Sequence, residues 1–227
     1  MTQIYVLFVI LGFGVVSASL LMGFRHDPAA PVIHYAYNAG LYVAYMAVHY
    51  LMMTPGFKKL VAKSPTGSPG ERRLYMVVAI TTWVLVYAFH FPLPGPAYVS
   101  PDWLVYFGLC AFLMSFLAFV EGSTFESLKA FAGTPGTEQT HGAADVPLQV
   151  KGSYAKVRHP MYRGAVLMGF SSLLLHPNGA QLAWVVVIGL TFISFIPIEE
   201  RQLIRGRGEE YRAYMQEVRY RIFPGIW

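Results

Sequence analysis

The chain has 227 residues, of which 55% are hydrophobic and only 13% are charged. A soluble domain of this length needs far more polar surface, so the composition excludes an ordinary water-soluble fold and favours a lipid bilayer. The net charge of +5 is explained by membrane orientation and by attraction to anionic lipid, and no nucleic-acid partner is expected.

Apolar segments in chain order predict membrane-crossing helices. Spanning a bilayer takes about 20 residues, and runs of that length lie at 4–24, 34–53, 74–92, 103–121 and 180–198. Residues 160–175 form a shorter segment, about 24 Å long as a helix, which spans only with help from its flanks or lies obliquely. We therefore predict an all-α integral membrane protein with about six transmembrane helices, a C-terminal helical hairpin and a short amphipathic C-terminal helix.

The first of these segments has no basic region before it and no small-residue cleavage site, so it is expected to be a retained helix. It also contains small residues, which let helix backbones approach closely in lipid. We expect this helix to pack tightly against a neighbour through these positions: Gly12, Gly14, Ser17, Ala18 and Ser19.

Basic residues are concentrated in three segments. Residues 54–73, residues 122–163 and the tail after 198 contain sixteen of the seventeen Lys and Arg, and only Arg25 lies elsewhere. By the positive-inside rule these three segments face the cytoplasm, which requires six crossings with both termini inside. A bacterial inner membrane is the expected location. Residues 54–73, rich in Pro and Gly, are predicted to be a cytoplasmic loop.

The chain is expected to form one membrane domain with three parts. Residues 1–121 hold four N-terminal helices, and residues 122–159 hold a cytoplasmic loop and the start of a motif. Residues 160–227 hold the hairpin and the tail. Within the middle part, residues 133–147 lack periodicity and are predicted to be a loop.

The hairpin is predicted from local signals. Pro160 suits the first turn of a helix, because its missing N–H costs nothing there, so a helix is predicted over 160–175. The sequence His-Pro-Asn-Gly at 176–179 then breaks the chain. A second apolar run over 180–198 leads back toward the first face of the membrane.

Two adjacent carboxylates, Glu199 and Glu200, follow that second run. In an antiparallel hairpin, position 199 returns level with about position 156. Glu199 and Glu200 are therefore predicted to lie close to Arg158 and His159. One membrane face would then hold a basic turn, a helix N-terminus and two acids within reach of one ligand.

The spacing of these residues matches a known family. Arg158-His159-Pro160-x-Tyr162-x-Gly164, followed by Glu199-Glu200 and by Gly208-x-Glu-Tyr211-x-x-Tyr214-x-x-x-Val218 near Pro224, closely resembles the isoprenylcysteine carboxyl methyltransferase and phospholipid methyltransferase superfamily. Members of that superfamily are membrane enzymes that use S-adenosylmethionine (SAM). The joint pattern is specific because it constrains residue types at three separate places.

The N-terminal half resembles one branch of that superfamily. His49, the pair Lys58-Lys59, the run Arg72-Arg73-Leu74-Tyr75 and the acidic-aromatic segment 125–131 are similar to the NnrU-like and methanethiol S-methyltransferase branch. This likeness favours a thiol such as methanethiol as the methyl acceptor.

The resemblance implies SAM as the cofactor. The carboxylate of SAM, the methyl donor, would bind at the helix N-terminus at Pro160 with Arg158 beside it. Glu199 or Glu200 would bind its ammonium or balance its sulfonium. Arg158 and Glu200 are the predicted catalytic residues. The predicted cofactor-binding residues are Tyr154, Val157, Arg158, His159, Pro160, Tyr162, Gly164, Glu199, Glu200, Tyr211 and Tyr214.

Several alternatives stay open at this point. The acceptor is small or lipophilic, and a prenylcysteine carboxylate or a phospholipid amine also fits it. NnrU-like proteins suggest a non-catalytic assembly role, and His34 and His90, with His26 and His176 on the same side, suggest haem binding. Membrane lipid is an expected partner. No metal is expected in the site, because no cluster with metal-ligand spacing occurs on the cytoplasmic side.

Overall fold

A computed structural model describes residues 2–62, 67–96, 98–121, 148 and 150–227. Within these ranges the protein is all-helical, as predicted, and the 3₁₀ turn Gly152–Ala155 precedes the hairpin. The segment 125–131, the predicted loop over 133–147 and the side chains of Arg72 and Arg73 lie outside the described part. The α-helices are α1 (Thr2–Met22), α2 (Ile33–Met53), α3 (Pro55–Ala62), α4 (Gly67–Phe89), α5 (Asp102–Glu121), α6 (Pro160–Leu175), α7 (Gly179–Arg207) and α8 (Glu209–Glu217).

The prediction of a loop over residues 54–73 is wrong, because this stretch contains α3 and the start of α4. The Thr54 Oγ1 atom accepts a hydrogen bond of 3.3 Å from the Phe57 N–H. Pro55 occupies the first position of α3, where it lacks only an N–H that a helix leaves unpaired. The Pro and Gly content therefore marks a capped helix here and not an irregular loop.

The C-terminal end of α7 also differs from the prediction. The apolar run ends at Ile198, but the helix continues through both carboxylates to Arg207. Glu and Arg are good helix formers, so a change from apolar to charged residues does not end a helix. Gly208, with a φ of 58°, ends it, because glycine adopts positive φ without steric cost.

Among the described helices, α7 is the one long and apolar enough to cross a membrane by length and composition. The helices over Leu7–Met22, Leu74–Phe89 and Asp102–Ala118 are apolar but shorter. Six crossings therefore stay a prediction. Large apolar side chains are exposed on α1 and α5, and lipid contact accounts for such patches better than water does: Leu7, Ile10, Leu11, Val15, Trp103, Phe107, Met114 and Leu117.

The close packing predicted for the first helix is confirmed at Gly12 and Ser19, but not at Gly14, where an added Cβ atom would meet nothing within 4 Å. A Cβ atom at Gly12 would lie 2.7 Å from side-chain atoms of Ile80 on α4. Further along the same interface, the Trp83 Nε1–H donates to the Ser19 Oγ atom over 2.8 Å. Small residues thus bring α1 and α4 into direct contact.

Trp184 on α7 lies at the centre of an aromatic core. Its ring centroid is 4.9 Å from that of Trp83, 5.2 Å from that of Tyr45 and 5.3 Å from that of Phe24. These contacts join α7 to α4, α2 and the end of α1, and Trp184 is fully buried. Aromatic packing of this kind holds α7, and with it the two carboxylates further along, in one position.

One end of the bundle is joined by neutral hydrogen bonds, and we call it the loop end. It comprises residues 24–27, residues 91–93 and the hairpin turn 176–178. The Asn38 side chain donates to the Phe91 carbonyl over 2.8 Å and accepts from the Phe91 N–H over 3.0 Å. Asp27 and Leu93 bond through their backbones over 3.2 Å. Connections between helices are therefore well anchored at this end.

Candidate functional site

The hairpin turn sets the register of α6 and α7. Asn178 caps α7, since its Oδ1 atom accepts from the Gln181 N–H over 2.9 Å, which confirms the predicted break. The Gln181 side chain donates to Ser172 Oγ over 2.6 Å and accepts from the Phe24 N–H over 3.1 Å. These buried bonds tie the turn to α6 and to the end of α1, so the opposite ends of α6 and α7 must also meet.

Glu200 and Arg158 meet directly at that opposite end, which we call the motif end. The Arg158 Nε–H donates to Glu200 Oε1 over 2.7 Å, and both side chains are 5% exposed. Arg221 contacts Glu200 Oε2 through Nε and through Nη2, each at 3.0 Å. A buried carboxylate needs this degree of charge and hydrogen-bond compensation. The predicted approach of the two hairpin ends is confirmed.

His159 lies between the two carboxylates. Its Nε2 atom is 3.4 Å from Glu200 Oε1, and its Nδ1 atom is 3.5 Å from Glu199 Oε2. Burial alone lowers the pKa of His159, but the hydrogen bonds to Glu199 and Glu200, together with their negative charges, outweigh burial and raise this pKa. The imidazolium form of His159 is therefore favoured in the folded protein.

Glu199 is the more accessible of the two acids. Its side chain is 17% exposed, compared with 5% for Glu200. The Tyr162 hydroxyl donates to Glu199 Oε2 over 2.8 Å, and the Tyr162 ring stacks on the His159 ring with centroids 5.5 Å apart. Tyr162 thus holds both residues at the edge of the cluster.

The tail residues 218–221 hold the Arg-His turn in place, and we call them the clamp. The N–H groups of Arg158 and His159 donate to the carbonyls of Tyr220 and Arg221 over 2.9 and 2.8 Å. The Arg158 Nη1 atom donates to the carbonyls of Val218 and Arg219 over 2.7 and 2.8 Å. The turn before α6 is therefore fixed by backbone pairing with the tail.

Sequence reasoning missed Arg221 as a member of the cluster and counted it only as a sign of orientation. The sequence contains no charge signal for it, because Arg158 and a protonated His159 already balance the two carboxylates. Nothing in the spacing of the tail selects Arg221 from its other arginines.

Tyr211 and Tyr214 on α8 pack together below the cluster, and both are almost fully buried. The Tyr214 hydroxyl donates to the Tyr154 carbonyl over 2.8 Å, so Tyr214 supports the turn before α6. The Tyr211 hydroxyl is buried and has no hydrogen-bond partner among the described residues. Burial first, and then the charges of Glu200 and Glu199, raise the pKa of Tyr211, which keeps the phenol protonated.

Three predicted site residues lie inside the protein. Val157 is completely buried, and its N–H donates to the Ser153 carbonyl over 3.2 Å. Pro160 and Gly164 lie on the buried face of α6. Contact of these residues with a cofactor stays a prediction.

The histidines considered for haem binding lie at the loop end. His34 Nδ1 is 2.8 Å from the Pro92 carbonyl, His90 Nε2 is 2.6 Å from the Tyr42 hydroxyl, and His176 Nε2 is 2.6 Å from the Leu21 carbonyl. These bonds give His34, His90 and His176 a structural role. His26 Nδ1 and Nε2 and His90 Nδ1 are buried without a partner among the described residues, and haem binding is not tested by these contacts. In the described part of the chain, no group of three or more His, Cys, Asp or Glu is placed to hold a metal ion.

Sequence comparison adds one relative of known activity. This chain is similar to a methyltransferase. Methanethiol S-methyltransferase 1 of Bradyrhizobium diazoefficiens is 26% identical over 182 residues, which cover 78% of this chain and 63% of the relative. The chain thus spans less than two thirds of the relative's length. No protein-family model and no solved structure matches the chain.

Proposed function

We propose that this protein is a SAM-dependent membrane methyltransferase that transfers a methyl group to a small or lipophilic acceptor, with a thiol such as methanethiol favoured. The observation that carries the proposal is the buried cluster of Arg158, His159, Glu199 and Glu200, in which both ends of the hairpin supply charge. The similarity to a methanethiol S-methyltransferase supports the same class of reaction.

Several hydrogen-bond donors at the motif end, together with the carboxylate of Glu199, fit the charged groups of SAM. Arg158 uses Nε and Nη1 within the protein, which leaves Nη2 without a bond to any described residue. No side chain caps the N-terminus of α6, and the Tyr211 hydroxyl is unpaired within the described chain. A carboxylate suits the first two groups, and an ammonium suits Glu199, the less buried of the two acids.

When bound, SAM supplies an electrophilic methyl group on a sulfonium. In-line displacement at such a centre needs a protein that positions two reactants and excludes water. In our proposal, Arg158 and the α6 N-terminus orient the donor's carboxylate, and Glu199 holds its ammonium. Glu200 is already bonded to Arg158, Arg221 and His159, so its role is to hold Arg158 in the binding orientation.

The proposal also places the site at the cytoplasmic face of a bacterial inner membrane, with both termini cytoplasmic. In this arrangement the acceptor reaches the motif end from the lipid side. The exposed apolar surfaces of α1 and α5 are consistent with that environment. A prenylcysteine carboxylate and a phospholipid amine are the acceptors to compare with a thiol.

Titration calorimetry with S-adenosylhomocysteine (SAH) on the detergent-purified protein tests the cofactor. We expect Glu199→Gln to weaken SAH binding by about 1.5–3 kcal/mol, the usual range for a charged hydrogen bond. Glu210→Gln is the matched control, because Glu210 is an exposed acid of α8 that pairs with Arg207 at the end of α7, and we expect no change in SAH affinity from it. Failure of the parent protein to bind SAH would refute the proposal.

A methyl-transfer assay then identifies the acceptor. Labelled SAM is incubated with the protein and either methanethiol, a prenylcysteine or a phospholipid, and we expect transfer to the thiol to be fastest. Transfer should continue in EDTA, because the proposed chemistry uses no metal. An SAH-binding protein that methylates only the phospholipid or the prenylcysteine would contradict the choice of acceptor but not the choice of cofactor.

A further inference from the structure

A pocket of about 270 Å³ opens beside the clamp, on the tail side of the motif end. Its walls include three arginines and an indole ring, and the residues that matter are Arg158, Arg219, Arg221, Tyr220, Ile226 and Trp227. No Asp or Glu of the described chain lines it. Glu200 bonds Arg158 and Arg221 from outside the pocket, and Arg219 has no such partner among the described residues.

One of these arginines has its whole guanidinium to spare. The Arg219 side chain is exposed and forms no hydrogen bond or ion pair with the described residues. Arg158 adds positive charge to the wall, but its remaining Nη2 atom is the one that the proposed function gives to the methyl donor, so it does not count as a free donor of this pocket. A guanidinium with a free edge presents paired N–H donors in a fixed fork.

The wall formed by the tail is held in place by the protein itself. The Arg221 and Ile222 N–H groups donate to the Trp227 O atom over 2.8 and 3.2 Å. The Arg221 guanidinium lies over the Trp227 ring, 4.8 Å from its centroid. The pocket is therefore already formed, so a ligand does not have to order this segment.

We propose that this pocket binds a phosphate-type oxyanion as a site separate from the methyl-donor site. Arginine forks match phosphate oxygens in geometry as well as in charge, and no described Asp or Glu pairs with the Arg219 fork. The anion is either free phosphate or the phosphate of an anionic phospholipid. The exposed rim of Tyr220, Ile226 and Trp227 has the aromatic and apolar character of a membrane interface.

Titration calorimetry with inorganic phosphate, on the delipidated full-length protein in detergent, tests the site. We expect Arg219→Gln to weaken phosphate binding about tenfold or more, as loss of a charged hydrogen bond does. Arg205→Gln is the matched control, because Arg205 is an exposed arginine on α7 that does not line the pocket. We expect this variant to bind phosphate as tightly as the parent protein does. Because the Arg219 side chain has no described bond, its loss should leave folding intact.

Native mass spectrometry from mixed phosphatidylglycerol and phosphatidylcholine micelles distinguishes the two sources of phosphate. Retention of phosphatidylglycerol by the parent, but not by Arg219→Gln, supports the lipid headgroup. Equal retention by both proteins, together with a loss of phosphate binding in Arg219→Gln, supports free phosphate.

The proposal is overturned if the parent does not bind phosphate, or if Arg219→Gln binds it as tightly as the parent. Competition between SAH and phosphate would also overturn it, because the pocket would then belong to the methyl-donor site. None of these results depends on whether the protein transfers methyl groups.

Discussion

The loop end and the motif end of the bundle both bury polar side chains, but they satisfy them differently. At the loop end, the side chains of Asn38 and Gln181 bond backbone and hydroxyl groups without any charge. At the motif end, Glu200 is bonded by Arg158 and Arg221, and donors such as Tyr211 OH stay unpaired among the described residues. Buried polar atoms without a described partner also occur near the loop end, at His26 Nδ1 and Nε2 and at His90 Nδ1. The two ends therefore differ in charge: only the motif end offers paired charges to a charged ligand.

The energetics of neutral hydrogen bonds and of buried ion pairs also distinguish the loop end from the motif end. A neutral buried hydrogen bond contributes about 1 kcal/mol net, so the loop-end bonds are explained by stability and register. A buried ion pair often stabilises a protein no more than apolar residues of the same size would. The charges of Arg158 and Glu200 are therefore explained better by a ligand than by stability.

The largest expected effect comes from separating Arg158 and Glu200. Removing one member of a buried ion pair strands the other, so Arg158→Ala and Glu200→Gln should each lower the free energy of unfolding by about 3 kcal/mol. The double mutant should lose less than the sum, with a coupling of at least ~1 kcal/mol, because the two side chains bond directly.

Chemical unfolding in detergent measures both quantities. The exposed pair Arg212 and Glu209 on α8 is the control, and its cycle should show little coupling. Additive losses at Arg158 and Glu200 would mean that the two residues act independently.

Gln181→Ala tests the loop end. Because both ends of this buried side chain are bonded, its loss should lower the free energy of unfolding by about 2 kcal/mol. SAH affinity should stay at the parent value, since the bonds lie far from the motif end. Gln216→Ala, at an exposed position of α8, is the control for both measurements. A fall in SAH affinity that is unrelated to unfolding would place ligand contacts at the loop end.

Tyr211→Phe and Tyr214→Phe form a matched pair within the motif end. Tyr214→Phe removes the bond to Tyr154 and should lower the free energy of unfolding by about 1 kcal/mol without changing SAH affinity. Tyr211→Phe should leave stability unchanged and weaken SAH binding by about 1 kcal/mol, because its hydroxyl is free for a ligand. Calorimetry and unfolding on both variants check this, and an unchanged SAH affinity in Tyr211→Phe would remove that residue from the site.

The smallest expected effect is a pH dependence from His159. Because the folded protein raises the pKa of His159 above its ordinary value of 6.5, the folded state binds the proton more tightly than the unfolded state. The stabilisation is complete below pH 6.5 and is lost as the pH rises through the raised pKa. His159→Gln should remove this slope from the unfolding free energy above pH 6.5, whereas His176→Gln at the loop end should keep it. An unaltered slope in His159→Gln would contradict the effect.

The part of the site that the sequence predicted depends on local rules. Pro160 and the break at 176–179 set the two helices, and residue counting along them returns Glu200 to Arg158. Choosing between Glu199 and Glu200 was not possible in this way. Helical spacing brings both acids to the same level, but only the positions of Arg158 and Arg221 show that Glu200 is compensated and Glu199 is more exposed.

The sequence by itself determined the apolar helices, the hairpin and the meeting of opposite charges, because periodicity, helix caps and residue counts act over short stretches of chain. The tertiary structure decided which tail residues join the cluster. The clamp reaches Arg158 and His159 through backbone bonds and through the Arg158 side chain, between segments about 60 residues apart. The same return brings Arg221 to Glu200, and no repeat or spacing encodes it. It also decided that the Tyr214 hydroxyl bonds the Tyr154 carbonyl, whereas the Tyr211 hydroxyl has no partner among the described residues. A hydroxyl's hydrogen-bond partner depends on which backbone group packs beside it.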